Sequence, residues 1–278
     1  MKVVLVLSDA LRDDIAAERM GFLEHLIETG QGTRYSVRGE LPTLSRPMYE
    51  TVHTGLPVTQ HGVVSNYTVR RSNVPNLFEI AVQNGRTTAA AAYYWFSELY
   101  NRAPFDPIDD REVDDPALPI QHGRFYVGDP GYPEREVFIP DTELFLSAAG
   151  LVRKYSPDYL LIHPMGMDFL GEEYGSDTPE YRNHATRQDM AMAFLIPEWH
   201  QLGYTVLVTG DHGIGPDHSH GGTTPDVRIV PLYILPPAGG GRGNTRETVS
   251  QLQLAPTILS ILELPIPNTM KAAPLAWK

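Results

Sequence analysis

Residues Val3 to Leu7 form an unbroken aliphatic run that stops at Ser8-Asp9, and related runs return along the chain. A strand with one face in solvent alternates apolar and polar residues, whereas a run apolar at every position reads as a central strand covered on both faces. Thr87 to Tyr94, Tyr159 to His163, Thr205 to Thr209 and Ile229 to Leu235 fit the same description. Between them lie stretches with helical spacing: Met20 to Thr29 closed by Gly30, Asn76 to Val82, Asp141 to Tyr155, Tyr181 to Leu202 interrupted by Pro197, and Leu252 to Leu262. Strands alternating with helices predict a three-layer α/β fold, with a mostly parallel central sheet and helices on both faces. The 278 residues suit a single domain. Asn101 to Pro140, rich in Pro, Gly and Asp and without periodicity, is expected to be either an insertion that caps a site or a surface excursion.

In such sheets ligands bind beyond the carboxyl ends of the strands. Asp9, Asp168 and Asp211 each come shortly after a predicted strand. Thr209-Gly210-Asp211-His212-Gly213 is followed closely by His218-Ser219-His220-Gly221-Gly222. Either pattern alone is an ordinary turn, but two so close at a strand end favour metal ligation. The chain has no cysteine, so His, Asp and Glu are the strong ligands on offer. The Pro-rich stretch Gly39 to Pro47 contains Thr43 and Ser45. Taken alone it is a turn and a helix cap; at a helix N-terminus, its hydroxyl would share a field and free amides that suit a phosphate.

Charge narrows the partners. A formal net charge of −12 argues against coating nucleic acid or binding an anionic membrane. It leaves a small anionic substrate open, because a bound cation inverts the local charge. The first apolar run is too short for a signal peptide, and no stretch approaches the roughly 20 apolar residues of a membrane span. A cytoplasmic location is the expectation. Nothing in the sequence speaks to oligomeric state.

Taken in order, Asp9, P-T-L-S-R-P at 42–47, T-G-L-P at 54–57, H-G at 61–62, D-F-L-G-E-E-Y-G at 168–175, G-D-H-G at 210–213 and H-G-G-T-T-P at 220–225 resemble the successive motifs of the alkaline phosphatase superfamily. Leu254-Ala255-Pro256-Thr257 and Leu264-Pro265 are similar to its closing helix. The resemblance implies two divalent metal ions bridged by a substrate phosphate. Asp9, Asp211 and His212 would hold one beside Ser45, the nucleophile, whose oxygen would also ligate it. Asp168, Glu172 and His220 would hold the other. The first ion would lower the hydroxyl pKa of Ser45; the second would stabilise the leaving oxygen and later activate water.

The branch it resembles is the nucleotide pyrophosphatase/phosphodiesterase group. Ser45 takes the place of that branch's usual threonine and Met48 that of its asparagine, with Thr43 the lesser candidate nucleophile. Asn66 falls where the branch carries a donor to a phosphate oxygen, an oxyanion-hole role. Phosphodiester or pyrophosphate hydrolysis of a small phosphorylated substrate, such as a nucleotide, through a phosphoseryl intermediate is therefore the expected activity. The rivals are a phosphomonoesterase, a phosphonate hydrolase, then a sulfatase, whose pattern wants Arg where Tyr49 stands. Glu172 departs from the family, which places histidine there. Zinc is the first expectation for the metal, and a carboxylate at 172 would move the preference toward manganese or iron. A catalytically inactive metal-binding module is the reading from another class.

Smaller features carry both a structural and a functional reading. His163 could support the site or be a satisfied buried histidine, and His218 could assist His220 or face solvent. Asp13 and Asp14 read as a loop or a helix start. Tyr93, Tyr94, Trp95 and Phe96 could stack a nucleobase, though core packing is the preferred reading.

Overall fold

A computed structural model describes residues 1–127 and 141–278. Its strands are β1 (Lys2–Ser8), β2 (Thr33–Arg38), β3 (Thr88–Tyr93), β4 (Glu112–Asp114), β5 (His122–Tyr126), β6 (Tyr159–Ile162), β7 (Tyr204–Gly210), β8 (Ile229–Leu235) and β9 (Gly243–Ser250). The helices are α1 (Asp13–Arg19), α2 (Gly21–Glu28), α3 (Ser45–Thr54), α4 (Val58–His61), α5 (Leu77–Gln83), α6 (Trp95–Tyr100), α7 (Asp141–Tyr155), α8 (Gly166–Tyr174), α9 (Pro179–Gln201), α10 (Pro225–Arg228) and α11 (Leu254–Ile261).

The strands make one nine-stranded sheet in the order β4-β5-β3-β6-β1-β7-β8-β2-β9. From β5 to β7 every pairing is parallel. The antiparallel pairings are β4 with β5 and β8 with both its neighbours. Alternate residues of β1 feed two cores. Val4 and Val6 pack with Ile15, Phe145, Tyr181 and Trp199 on one face; Val3, Leu5 and Leu7 pack with Tyr49, Phe78, Phe96 and Ile258 on the other. This is the three-layer α/β fold, with helices on both faces of the sheet. In β3 the buried run Ala89 to Ala92 keeps both faces thin, so helices can approach closely.

The parallel register aligns strand ends at one edge of the sheet. Ser8 lies opposite Gly210 across β1 and β7, and Val6 opposite Ile162 across β1 and β6. Asp9, Asp211 and the β6–α8 connection therefore emerge side by side. Asp168 stands on the first turn of α8. Asp13 and Asp14 open α1, where their charge favours the helix N-terminus.

Pro197 does not interrupt the long helix: α9 runs through it for 23 residues. A proline costs the helix one hydrogen bond, and burial of Ile196 and Trp199 beside it offsets that loss. Of the stretch 101–140, residues 128–140 lie outside those described. Within the described part, β4 and β5 extend the edge of the sheet. No described helix is long and apolar enough to cross a membrane.

Candidate active site

Helix α3 begins at Ser45, with Leu44 extended at its N-cap. Pro47 sits in the first turn, where a missing N–H costs nothing. The helix ends at Gly55 with φ 62°, and a Cβ there would lie 3.2 Å from the Leu252 carbonyl. Every residue of α3 is buried. Its polar side chains find partners inside: Arg46 with Glu98 at 2.7 Å, Glu50 with Ser72 and Tyr100, Thr51 with His61, His53 with Tyr159.

Ser45 Oγ lies 3.2 Å from His212 Nε2. His212 Nε2 is in turn 3.4 Å from Asp9 Oδ1 and 3.3 Å from Asp211 Oδ2. On the other side of its ring, Nδ1 donates to the Gly213 carbonyl at 2.9 Å, which leaves Nε2 with its lone pair. Asp9, Asp211 and His212 thus form one group whose donor atoms lie within 4.8 Å of each other.

Asp168, His212 and His220 form a second such group. The His212 and His220 rings stack at 4.2 Å. His220 Nδ1 donates to the Thr43 carbonyl at 3.0 Å, and its Nε2 lies 3.8 Å from Asp168 and 3.6 Å from Glu172. Asp168, Glu172 and His220 therefore come together. Glu172 stands at the rim, its side chain 41% exposed, while His212 completes the tighter set.

Three buried carboxylate oxygens here, Asp9 Oδ1, Asp168 Oδ1 and Asp211 Oδ2, have no hydrogen-bond donor. Burial, then Asp211, pushes Asp9 up to about 7. Burial raises Asp211 to about 8, with Asp168 adding to it, and burial with Asp9 and Glu172 raises Asp168 well above the usual range. Burial lowers His212 to about 4, so its ring is neutral at pH 7. For His220 burial pulls downward, but Glu172 and Asp168 outweigh it and raise the group to about 9. Unpartnered, crowded carboxylate oxygens beside imidazole nitrogens are what divalent cations require. The donor set fits the implied metal.

Asn66 Oδ1 accepts the Arg46 backbone N–H at 3.0 Å, one residue from Ser45. That contact commits the carbonyl of the amide and leaves its NH2 group to donate. Thr43 is fully buried and its hydroxyl donates to the Gly222 carbonyl at 3.1 Å, so it is occupied elsewhere. His163 is fully buried, with Nε2 3.3 Å from Asp9 Oδ2. His218 Nδ1 donates to the Glu172 carbonyl at 3.0 Å. Asp13 pairs with Arg34 at 2.8 Å, away from the cluster's chemistry. Tyr93 and Phe96 are core residues, and the Arg46 guanidinium covers Trp95 at 4.4 Å.

Sequence reasoning missed Tyr49, whose hydroxyl donates to Asp9 Oδ2. Its spacing of four from Ser45 puts both on one helix face, which was the available signal.

Residues 3–222 match the family described as type I phosphodiesterase / nucleotide pyrophosphatase. The human catalytic subunit of GPI ethanolamine phosphate transferase 2 is 25% identical over 283 residues, covering 96% of this chain and 27% of that protein. The chain thus spans about a quarter of that relative's length. Murine ectonucleotide pyrophosphatase/phosphodiesterase 5 superposes with a TM-score of 0.68 at 12% identity, over 96% of both chains. An inactive threonine-to-alanine form of that protein is solved with AMP. A phosphonate monoester hydrolase from Silicibacter pomeroyi gives 0.66 at 18% identity, over 99% of this chain and 75% of its own. These structural likenesses carry the fold.

Proposed function

The chain belongs to the type I phosphodiesterase / nucleotide pyrophosphatase family, within the alkaline phosphatase superfamily, and from that premise we propose a metal-dependent phosphodiesterase that uses Ser45 as nucleophile. The observation that carries the reading is Ser45 Oγ at 3.2 Å from His212, inside the Asp9–Asp211–His212 group. Asp9, Asp211 and His212 would hold one divalent cation, and Asp168, His220 and Glu172 a second. Bound there, such cations supply charge neutralisation and a lowered pKa for the Ser45 hydroxyl.

The chain's own residues do the rest. Ser45 Oγ forms a bond to phosphorus as the bond from phosphorus to the departing alkoxide or phosphate breaks. The N-terminus of α3 and the Asn66 NH2 group hold the phosphoryl oxygens through the change of geometry. The Ser45 proton leaves with the departing oxygen. Water then attacks phosphorus as the bond from Ser45 Oγ to phosphorus breaks, and one water proton returns to Oγ while the phosphate product departs. A small phosphorylated substrate suits this site, and AMP bound to a protein of the same fold supports a nucleotide.

A second reading follows from the likeness to ethanolamine phosphate transferases over 96% of the chain. An alcohol in place of water in the second step would transfer the phosphoryl group instead of hydrolysing it. The test is turnover of bis-p-nitrophenyl phosphate by zinc- or manganese-loaded protein, with products resolved in the presence of glycerol. Loss of turnover in Ser45→Ala with metal retained supports the nucleophile; full turnover in that variant rejects it. A glyceryl phosphodiester among the products favours transfer, and p-nitrophenyl phosphate alone favours hydrolysis.

A further inference from the structure

The two oxygens of Asp9 have different surroundings. Oδ1 is buried without a donor, 3.4 Å from His212 Nε2. Oδ2 accepts the Tyr49 hydroxyl. Tyr49 has no freedom to leave: it is fully buried, stacked on Phe96 at 4.5 Å and edge-on to His163 at 4.6 Å. Its backbone is part of α3, the helix that starts at Ser45. One rigid helix therefore carries both the proposed nucleophile and the group that orients the carboxylate just after β1.

A carboxylate can bind a cation through one oxygen or both. Large cations such as calcium take six to eight oxygens and accept both from one carboxylate, at roughly 2.3–2.6 Å. Zinc prefers about four ligands and takes one from each. Asp211 is restricted in the same sense, since its Oδ1 accepts the Ala10 N–H at 3.1 Å and its Oδ2 is left over. That restriction is backbone-made, whereas the hydrogen bond to Asp9 Oδ2 is the removable Tyr49 hydroxyl; His163 Nε2 lies 3.3 Å from the same oxygen without hydrogen-bonding to it.

We propose that Tyr49 is a positioning residue that confines Asp9 to coordination through one oxygen, and so biases the site toward small cations with few ligands over calcium. This rests on the reading of Asp9 as a metal ligand. Tyr49→Phe keeps the ring and its stacking while releasing Oδ2.

The experiment measures zinc and calcium dissociation constants of the whole chain by competition with a chromophoric chelator, for the wild type, Tyr49→Phe and Asp9→Asn. Calorimetry of the cation-free proteins checks the fold. Loss of an outer hydrogen bond of this kind weakens metal binding about 10- to 100-fold. Tyr49→Phe is expected to weaken zinc by at least about tenfold and calcium by much less, so that the ratio of zinc to calcium affinity falls, with little change in Tm. An unchanged ratio, whether both affinities hold or both fall together, overturns the proposal. Zinc binding that survives Asp9→Asn unaltered overturns the ligand reading and the proposal with it.

Discussion

Ser45 Oγ and His212 Nε2 stand 3.2 Å apart although 167 residues separate them in the chain. The contact joins the first residue of α3 to the turn after β7. Because only the hydroxyl of Ser45 reaches the cluster, its chemistry can be tested with little disturbance. Ser45→Ala should lower phosphodiester turnover by at least about a thousandfold, the scale lost when a nucleophile is removed. Ser45→Thr, which keeps a hydroxyl at the same carbon, should retain measurable turnover. Equal activity in all three proteins, read as kcat/KM with an aryl phosphodiester, would remove Ser45 from the reaction.

Cation removal should destabilise the fold. Asp9, Asp168 and Asp211 each keep a buried oxygen without a donor, and a cation at 100 times its Kd stabilises the native state by about 2.7 kcal/mol. Scanning calorimetry with excess chelator, against the same protein in zinc or manganese, should show Tm rising with cation concentration. A Tm independent of added cation would mean that the cluster holds none.

The Arg46–Glu98 pair anchors the start of α3. Both side chains are almost fully buried, at 2.7 Å, and Glu98 also accepts the Phe105 N–H. Glu98→Ala would leave a guanidinium inside the protein without its counter-charge, at a cost of about 3–5 kcal/mol. Denaturant titration should report that loss, and Glu98→Gln, which keeps the acceptor, should lose less.

The reasons these residues could or could not be read in the sequence are physical. β1, β6, β7 and β8 were visible because strands buried on both faces must be apolar throughout, and Asp9 and Asp211 were visible as the polar residues that end two of them. Helix α3 hid its periodicity. With all its faces buried, Arg46, Glu50, Thr51 and His53 are satisfied by internal partners instead of marking a solvent face. Strand β9, Gly-Asn-Thr-Arg-Glu-Thr-Val-Ser, is polar because it lies at the sheet edge, and its turn-like composition concealed it. Tyr49 shares a helix face with Ser45, but that spacing alone does not point to Asp9. Its meaning exists only once α3 and the end of β1 meet.

Glu172 offers a test of how the rim of the site sets metal preference. The resemblance to the alkaline phosphatase superfamily would place histidine where Glu172 stands, and the 41% exposed side chain leaves room for the exchange. Glu172→His replaces a hard oxygen donor by imidazole, which suits zinc better than manganese. The ratio of zinc to manganese affinity should rise about tenfold or more, about 1.4 kcal/mol in relative binding, and the ratio of turnover at limiting metal should follow it. A ratio unmoved by the substitution would place Glu172 outside the coordination sphere, leaving Asp168, His212 and His220 as the second set.

Glu50 should make stability fall as pH rises through the mildly acidic range. Burial raises its pKa from the ordinary 4.5 to about 7, even though Ser72 and Tyr100 donate hydrogen bonds that lower it. Between those two values the folded chain keeps the proton and the unfolded chain has lost it. The folded state then binds more protons, so unfolding becomes easier with each step upward in pH. The contribution is absent below the ordinary value, grows to about 3 kcal/mol by the folded one and is constant above it. Glu50→Gln cannot lose a proton, so its stability should stay flatter over that window. Guanidinium unfolding of both proteins at closely spaced pH values checks this. The wild type should lose stability relative to Glu50→Gln only within the window, and a difference that does not change with pH would show that Glu50 ionises in the folded chain as freely as in the unfolded one.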